Sequence, residues 1–272
     1  MLQEFQNYLT RLKGYSQNTA ISYTSDIRDF ARFLRARNQY ARWSTTTRED
    51  VDAYIIHMGQ QGQKASTTNR KLSAISALYK WFARNGQKVE DPTKYESRRK
   101  LPETIPSTIN LMEISKAYHQ AQGAVKMMIG LLATTGIRIQ EMLDLTWDNI
   151  DPESGRMVIK GKGSKERVVY TDPTILGDAA QRRQLTKQPR KLFSYTQREA
   201  RYEIWRALAP YCHARQLSPH AIRHTVATHM AAHHASAIEI AQVLGHRKLE
   251  TSQRYINMTQ IETTRTGIVL TN

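Results

Sequence analysis

Histidine, arginine and tyrosine side chains recur within one stretch of this chain, residues 218–255. The set comprises His220, Arg223, His246, Arg254 and Tyr255. His220 and Arg223 stand three residues apart, so on a helix they share one face. Imidazole, guanidinium and phenol groups together suit the binding of a tetrahedral anion, proton transfer and attack by an oxygen nucleophile. The stretch therefore predicts a site that carries out covalent chemistry on an anion.

Helix signals place these side chains at helix ends. Ser218 fits an N-cap and Pro219 fits the first turn, so a helix is predicted to begin where His220 lies. Gly245 is a C-cap signal, which displays His246 in the turn that follows a helix. The tyrosine nine residues later is predicted to lie on a further short amphipathic helix.

The His-x-x-Arg pair, the Leu-Gly-His turn and the tyrosine nine residues later resemble the C-terminal signature of the tyrosine recombinases. This family includes the phage integrases and the Xer recombinases. The resemblance predicts an arginine and a lysine upstream. The segment Thr-Gly-Ile-Arg at residues 135–138 supplies Arg138 and matches the family pattern, with Ile137 in place of the commoner leucine. Glu141, one turn later, is interpreted as a structural carboxylate.

The upstream lysine falls in a predicted hairpin. Strand patterns at 156–160 and 167–171 flank a turn rich in glycine and lysine. This turn resembles the family's hairpin, and the pattern assigns the catalytic role to Lys162 rather than Lys165. A Gly-Lys-Gly turn alone is weak evidence, but its place between Arg138 and His220 is the order that the resemblance requires.

The resemblance implies a catalytic set and a mechanism. The set comprises Arg138, Lys162, His220, Arg223, His246 and the nucleophile Tyr255. Tyr255 is expected to attack the scissile phosphate, forming a 3′-phosphotyrosyl intermediate and leaving a 5′-hydroxyl. The arginines are expected to hold phosphate oxygens, and Lys162 to protonate the leaving oxygen. His220 is expected to assist proton transfer at the tyrosine or at the phosphate, and His246 to hold a phosphate oxygen by a hydrogen bond. No metal is expected, because the arginines replace the charge neutralisation that a metal would give. No nucleotide cofactor is expected, because the covalent intermediate stores the phosphodiester energy.

Composition indicates a polyanionic partner. Lys and Arg number 40 against 24 for Asp and Glu in 272 residues, a net charge of +16. Double-stranded DNA is the simplest such partner, and a membrane surface is the alternative. The sequence contains no apolar run long enough for a membrane span. Its N-terminus has no signal-peptide pattern, so we expect a cytoplasmic protein.

Helical periodicity dominates, which predicts a mainly α protein with a small β-sheet (α+β). Residues 1–88 predict an N-terminal four-helix bundle, and the resemblance implies that it is a SAM-like domain that binds core DNA. Residues 89–107, rich in proline, predict an extended linker. Residues 108–272 predict the catalytic domain and a C-terminal tail. Further predicted helices lie at 111–121, 124–134, 173–188, 199–215 and 260–264, and a short strand is predicted at 268–270. On the helix at 199–215, Trp205 is predicted to be buried.

Polar and basic clusters predict contacts with DNA. They are Thr67, Asn69, Arg70 and Lys71 at a helix start, the linker residues Arg98, Arg99 and Lys100, and Arg198 and Arg201 on the helix at 199–215. Helix N-termini and basic side chains suit phosphate groups. Simple capping and solvated charge are the alternative. In the family, the two domains close around DNA, so the linker is expected to follow the phosphate backbone.

The sequence leaves alternatives for the site and for the function. Histidines spaced four apart suit zinc, but the chain has one cysteine and no His-Glu-x-x-His motif, so His224, His229, His233 and His234 are interpreted as packing or surface residues. A type IB topoisomerase and a non-catalytic DNA-binding protein are the rival functions.

A recombinase is expected to act as a homotetramer, a dimer of dimers, on two inverted-repeat core sites. It would serve integration and excision of a mobile element or Xer-type resolution, with the tail docked in cis or exchanged between protomers.

Overall fold

The structure is a computed structural model that describes residues 1–40, 42–96, 100, 106–161, 166–177, 191–246 and 248–266, with side chains up to residue 259. The chain divides into two compact units, Met1–Glu103 and Thr104–Asn272. Helices dominate both, and a three-stranded sheet lies in the second. The prediction of a mainly α protein with a small sheet is confirmed.

Among its described residues, the first unit is built from four main helices. They are α1 (Leu2–Asn7), which continues as a π-helical turn at Tyr8–Leu12, α2 (Gln17–Arg37), α3 (Arg48–Gln60) and α4 (Ala65–Arg84). Ser16 caps α2 by accepting from the Thr19 N–H, and Thr47 caps α3 in a capping box with Asp50. The sequence predicted a four-helix bundle here.

Aromatic side chains fill the core of the first unit. Phe5, Phe30, Tyr79 and Phe82 are each at most 2% exposed. The Phe30 and Tyr54 rings lie 4.9 Å apart between centroids. Large buried rings supply much of the apolar area that holds such a bundle together.

The start of α4 needs a correction. Lys71, predicted to contact DNA, is buried, and its ammonium donates to Asp29 at 3.1 Å and to the Tyr54 hydroxyl at 3.2 Å. A buried ammonium needs such partners, because desolvation without them is costly. Lys71 therefore ties α4 to α2 and α3 from inside the unit. Arg70 is more exposed and pairs with the buried carboxylate of Asp26.

Part of the predicted linker is held against the first unit. The Asp91 carboxylate accepts hydrogen bonds from Ser76 at 2.7 Å and from the Thr93 N–H and hydroxyl. Glu96 pairs with Arg48 at 3.1 Å. Of the predicted basic contacts that follow, Lys100 is exposed, whereas Arg98 and Arg99 lie outside the described residues.

The second unit consists of seven labelled helices and the sheet, among the residues described. The helices are α5 (Leu111–Gln120), α6 (Gly123–Thr135), α7 (Ile139–Leu143), α8 (Gln197–Leu208), α9 (Pro219–Ala232), α10 (Ala237–Leu244) and α11 (Leu249–Thr266). Helix α6 lies at the centre of its core, in contact with α5, α7, α8 and α9. Its side chains Met128, Ile129, Leu131 and Leu132 are fully buried.

The sheet has the strand order β1 (Ile150–Asp151), β2 (Arg156–Lys160) and β3 (Glu166–Tyr170), with antiparallel neighbours. The register of β2 and β3 pairs Val158 with Val168. Met157 and Ile159 point into the core while their neighbours face outward, the alternation expected of a half-buried strand. The predicted hairpin is thus present. Residues 162–165 at its tip, including Lys162, lie outside the part of the chain that the structure describes.

Several predicted elements differ in extent. Helix α8 begins two residues earlier than predicted and ends at Leu208. Trp205, predicted to be buried, is 47% exposed and packs beside Tyr202, because Ile204 and Leu208 are the residues that face the core. Helix α11 is 18 residues long instead of a short piece. Residues 173–177 are helical, but 178–190 and the predicted strand at 268–270 are not among the described residues.

No helix among the described residues has the length and apolarity needed to cross a lipid bilayer.

Candidate active site

One cavity in the second unit gathers most of the residues singled out by the sequence. It has a volume of about 340 Å³. Its lining consists of Pro106, Arg138, His220, Arg223, His224, His246, Thr251, Arg254 and Tyr255. Five of the six predicted catalytic residues therefore share one pocket, although up to 117 positions separate them in the chain. The sixth, Lys162, lies outside the described residues.

Two glycine turns shape this pocket. Gly136 ends α6 and Gly245 ends α10, both in the left-handed region with φ of 61° and 68°. A Cβ on Gly136 would approach Leu244 to 2.5 Å, and one on Gly245 would approach the Arg167 guanidinium to 2.8 Å. Because only glycine fits both the dihedral angle and the space, each turn presents its carbonyl groups to the pocket at a fixed position.

Arg223 bridges these two turns from inside. Its side chain lies on α9 and is 3% exposed. Nη1 donates to Gly136 O at 2.7 Å and Nη2 donates to Leu244 O at 2.8 Å. Burial lowers the pKa of Arg223 to about 10, and the nearby charge of Arg138 acts in the same direction. The guanidinium therefore remains a cation at neutral pH and is held in one orientation by the backbone.

Arg138 contacts the second of these turns, the one at Gly245. It is the N-cap residue of α7, directly after the Gly136 turn. Its Nη2 donates to Gly245 O at 3.0 Å, and its Nη1 donates to Glu141 Oε1 at 2.8 Å. Its side chain is 44% exposed. The guanidiniums of Arg138 and Arg223 thus border one pocket. A guanidinium has five N–H donors, so each retains capacity for an anion.

Glu141 joins two arginines beneath the pocket. Its carboxylate accepts from Arg138 and, at 2.7 Å, from Nη2 of Arg167 on β3. Arg167 also donates through Nε to Val243 O at 2.8 Å. Burial alone would raise the pKa of Glu141. The hydrogen bonds from Arg167 and from the Arg138 N–H outweigh burial, so this pKa lies below its usual value. The structural role predicted for Glu141 is therefore consistent with its contacts.

We expect Glu141→Gln to destabilise the second unit by about 3 kcal/mol near pH 7, because it leaves the half-buried Arg167 without its buried counter-charge. The pKa of Glu141 is lower in the folded protein than its unfolded value of 4.5. The stabilisation by ionised Glu141 is therefore complete above pH 4.5 and is lost as the pH falls through the folded pKa. Urea unfolding between pH 3 and pH 8 checks this. The stability difference between wild type and variant should shrink in acid, and a constant difference would contradict the assignment. Glu153→Gln, an exposed position with the same charge change, is the matched control.

The histidines of the pocket are held in neutral forms. Burial lowers the pKa of His246 to about 4, and the charges of Arg223 and Arg138 add to the effect. Its Nδ1 lies 2.8 Å from the Ser252 hydroxyl. Burial also lowers the pKa of His220 below its usual value, and the charges of Arg223, Arg138 and Arg201 lower it further. At pH 7 both rings can accept one hydrogen bond and donate one.

Tyr255 is buried at the back of the pocket. It lies on the second turn of α11, is 3% exposed and stacks on the His246 ring at 6.2 Å between centroids. Its hydroxyl lies 2.5 Å from Nδ1 of His224. Burial raises the pKa of Tyr255 above its usual 10.0, although the charges of Arg223 and Arg254 act in the opposite direction. The phenol is therefore protonated at neutral pH.

Sequence reasoning missed two residues of this site. His224 was interpreted as a packing or surface residue, yet its ring touches both His220, at 4.3 Å between centroids, and the Tyr255 hydroxyl. Its spacing of four from His220, on the same helix face, was the available signal. Arg167 carried no signal, because its partners Glu141 and Val243 lie far away in the sequence.

The predicted DNA contacts that the structure describes fall outside this pocket. Arg198 and Arg201 are exposed on α8, and the charge of Arg201 lowers the pKa of His220, so this part of α8 lies near the pocket. Thr67 and Asn69 are partly exposed on the first turns of α4 in the first unit. Among the described residues, no group of three or more His, Cys, Asp or Glu side chains is placed to hold a metal ion.

The site defines a class of chemistry. Two fixed guanidiniums can clamp a tetrahedral anion such as a phosphodiester, a neutral imidazole can donate to one of its oxygens, and a tyrosine with a hydrogen-bonded hydroxyl can attack it. The chain belongs to the phage integrase family, whose model matches residues 107–261. A second model, the N-terminal SAM-like domain of phage integrases, matches residues 2–86.

Known proteins of this family are similar over most of their length. The tyrosine recombinase XerD of Rhizobium meliloti is 27% identical, and the alignment covers 94% of this chain and 90% of XerD. Two solved structures share the fold. The XerH site-specific recombinase in a post-cleavage complex with palindromic difH substrate gives a TM-score of 0.74 at 17% identity, over 98% of this chain and 84% of XerH. A lambda integrase tetramer on a Holliday junction gives 0.71 at 16%, over 93% and 75%.

The chain is accordingly a tyrosine recombinase, an enzyme of site-specific DNA recombination.

Proposed function

We propose that Tyr255 cleaves DNA by attacking the scissile phosphate, with Arg138 and Arg223 holding the non-bridging oxygens. The product is a 3′-phosphotyrosyl bond and a 5′-hydroxyl, and the reverse reaction with another 5′-hydroxyl rejoins the strands. The observation that carries this proposal is the single pocket, which brings both guanidiniums and the buried Tyr255 of one chain together. Because all of these groups come from one chain, each protomer attacks the phosphate bound in its own pocket.

The two arginines replace the charge neutralisation that a metal supplies in other phosphoryl-transfer sites. Their carbonyl contacts to Gly136, Leu244 and Gly245 fix them before DNA binds. Fixed donors aimed at a developing negative charge stabilise a transition state without reorganisation, and each such donor is worth about 10²- to 10³-fold in rate. The reaction needs no cofactor in this proposal, since the phosphotyrosyl bond conserves the energy of the phosphodiester.

The remaining roles belong to polar groups around the arginines. His246, neutral at pH 7, donates through Nε2 to a phosphate oxygen if the Ser252 hydroxyl donates to its Nδ1. His220 assists proton transfer at the phosphate. Lys162, at the tip of the β2–β3 hairpin, protonates the leaving 5′-oxygen, because an alkoxide is a poor leaving group.

The substrate of the proposal is double-stranded DNA with a short inverted-repeat core site. The net charge of +16 favours a polyanion. Arg198 and Arg201 on α8 and Thr67, Asn69 and Arg70 on α4 contact the duplex, together with Lys100 and the flanking Arg98 and Arg99. The corrected Lys71 instead supports α4 from within. The similar XerH and lambda integrase structures hold a palindromic substrate and a Holliday junction, respectively.

The active assembly in this proposal is a homotetramer, a dimer of dimers on two DNA sites. The lambda integrase structure with the same fold is a tetramer, which supports this arrangement. The C-terminal tail, with its apolar residues 268–270, docks on a neighbouring protomer or on its own. The reaction takes place in the cytoplasm and serves integration and excision of a mobile element or Xer-type resolution.

The proposal is tested by trapping protein on a sheared pool of DNA and sequencing the DNA that remains attached on denaturing gels. We expect adducts at one short inverted-repeat sequence, and recombination between two copies of it. Adducts spread over many sequences, with relaxation of supercoiled plasmid, would instead indicate a type IB topoisomerase. DNA binding without any adduct would indicate a non-catalytic DNA-binding protein. Cross-linking on the mapped site gives the number of protomers.

A further inference from the structure

We propose that His224 is the general base of strand cleavage and takes the phenolic proton of Tyr255 as the Tyr255 oxygen attacks the phosphate. This inference rests on the proposed role of Tyr255 as the nucleophile. It goes further because it assigns the proton transfer to a residue outside the predicted catalytic set, and it restricts His220 to the phosphate side of the site.

The geometry of the Tyr255 hydroxyl carries this proposal. Nδ1 of His224 lies 2.5 Å from the hydroxyl oxygen, within direct hydrogen-bond reach. The two rings lie 5.8 Å apart between centroids. Among the described residues, the hydrogen-bond partner of this hydroxyl is His224, whereas the ring of His220 contacts the ring of His224. His224 is therefore the imidazole placed to receive the proton at the moment of attack.

Two helices hold the pair in this position. His224 lies on α9 immediately after Arg223, whose guanidinium is fixed by carbonyl groups of two turns. Helix α9 packs against α11, which carries Tyr255, and Val226, Ala227 and Tyr255 are buried in the same cluster. The hydrogen bond between His224 and Tyr255 thus joins two elements whose spacing is set by packing.

The charge state of His224 suits a base. Burial lowers the pKa of His224 to about 4, and the charges of His220, Arg223 and Arg254 lower it further. His224 is therefore neutral at pH 7, and a neutral imidazole has one nitrogen that accepts and one that donates. In this assignment Nδ1 accepts the Tyr255 hydroxyl proton and Nε2 carries a proton of its own.

Binding of DNA strengthens this base. The pocket holds Arg138, Arg223, Arg254 and the imidazoles of His220 and His246 around His224. A bound phosphodiester brings a negative charge between the arginines and offsets the positive charges that depress the pKa of His224. The base therefore becomes more basic when the substrate is in place, while burial keeps Tyr255 protonated beforehand.

Strand cleavage transfers one proton and exchanges one bond to phosphorus for another. The O–H bond of Tyr255 breaks and an N–H bond forms at Nδ1 of His224. The Tyr255 oxygen forms a bond to phosphorus, and the bond from phosphorus to the 5′-oxygen breaks. The leaving oxygen takes a proton from Lys162 in the proposed function. On rejoining, a 5′-hydroxyl attacks phosphorus and its proton passes to Lys162, which became neutral in the cleavage step. The bond between phosphorus and the Tyr255 oxygen breaks, and protonated His224 returns the proton to that oxygen.

Single-turnover cleavage of a suicide DNA substrate tests the proposal, with the site mapped as above. In this substrate a nick lets the short 5′-hydroxyl fragment leave, so the adduct accumulates irreversibly. His224→Asn retains an oxygen near the Nδ1 position that accepts the phenol hydrogen bond but cannot take the proton. His224→Ala removes both functions. We expect each variant to cleave at least about 100-fold more slowly than wild type, with unchanged affinity for DNA.

Two further readouts separate proton transfer from positioning. Added imidazole should restore part of the cleavage rate of His224→Ala, because a small base can enter the space left by the ring. The cleavage rate of wild type should level off above the pKa of His224 in the complex, whereas the rate of His224→Asn should continue to rise with pH. His229→Asn, an exposed position on the same helix, is the matched control and should cleave at the wild-type rate.

The outcomes separate this inference from the function on which it rests. If wild type forms no adduct, or if Tyr255→Phe forms one, the nucleophile assignment itself is wrong. If wild type forms a Tyr255-dependent adduct but His224→Asn cleaves at the wild-type rate, His224 only positions the phenol and the proposal is overturned. Failure of imidazole to restore any activity to a folded His224→Ala protein would also overturn it. Thermal unfolding of each variant establishes that it is folded.

Discussion

A Tyr255→Phe variant is expected to bind the mapped DNA site with wild-type affinity and to form no covalent adduct. The change removes one oxygen, the proposed nucleophile, and retains the ring. Because the ring is buried against His246 and the core of α9 to α11, the substitution leaves the packing intact. Loss of the hydrogen bond to His224 should cost the fold only about 1 kcal/mol. Denaturing gels report the adduct, and a gel-shift titration reports the affinity.

The control for this variant is Tyr170→Phe, which removes the same oxygen from an exposed tyrosine on β3. Tyr170→Phe should form the adduct at the wild-type rate. An adduct of undiminished yield from Tyr255→Phe would show that another side chain attacks the phosphate. It would also leave the arrangement of Tyr255 and His224 without a catalytic purpose.

An Arg223→Lys variant is expected to cleave about 10²- to 10³-fold more slowly than wild type. The guanidinium of Arg223 spans two carbonyl groups, those of Gly136 and Leu244, while remaining available to a phosphate oxygen. A lysine ammonium retains the positive charge, but it is a single point on a flexible chain and cannot present this planar fork. The comparison therefore measures the value of fixed geometry at constant charge. Single-turnover cleavage rates at saturating protein give the result.

Stability has to be measured beside activity for this variant, because Arg223 is buried. Loss of one hydrogen bond from Arg223 to a carbonyl oxygen should lower the free energy of unfolding by about 1 to 3 kcal/mol. A normal unfolding transition shows that the variant remains folded despite this loss. Arg156→Lys on the exposed side of β2 is the matched control. A folded Arg223→Lys protein that cleaves at the wild-type rate would contradict the proposed clamp.

Local signals in the sequence predicted the elements that frame the site. Ser218 and Pro219 predicted the start of α9, and the structure has that helix begin at Pro219 with Ser218 as its cap. Gly136 and Gly245 predicted two helix ends, and both adopt left-handed conformations there. Such signals succeed because a cap or a positive φ depends on one residue and its nearest neighbours.

The sequence could not predict contacts between distant segments. Lys71 looked like a surface cation at a helix start, but its partners Asp29 and Tyr54 lie on two other helices. Arg167 was the first residue of a predicted strand with no assigned role, yet its guanidinium joins Glu141 to Val243 O. A charged side chain of this kind reveals its role only when tertiary packing places its counter-charge.

His224 shows the same limit within the site. Its neighbours His220 and Arg223 fit the His-x-x-Arg pattern. That pattern gives no role to the histidine directly after the arginine. The contact with Tyr255 joins positions 31 residues apart and depends on how α9 packs against α11. Trp205 is a simpler case, since an apolar residue on an amphipathic helix was assigned to the core although it lies just outside the buried stripe.

The most direct test of the account is mass spectrometry of the peptide that remains linked to DNA after cleavage of the mapped site. The trapped wild-type complex is digested with protease and nuclease, and the modified peptide is sequenced. We expect a nucleotide joined through its 3′-phosphate to Tyr255, with a free 5′-hydroxyl on the other DNA fragment. A nucleotide on any other side chain, or a link through a 5′-phosphate, would contradict it.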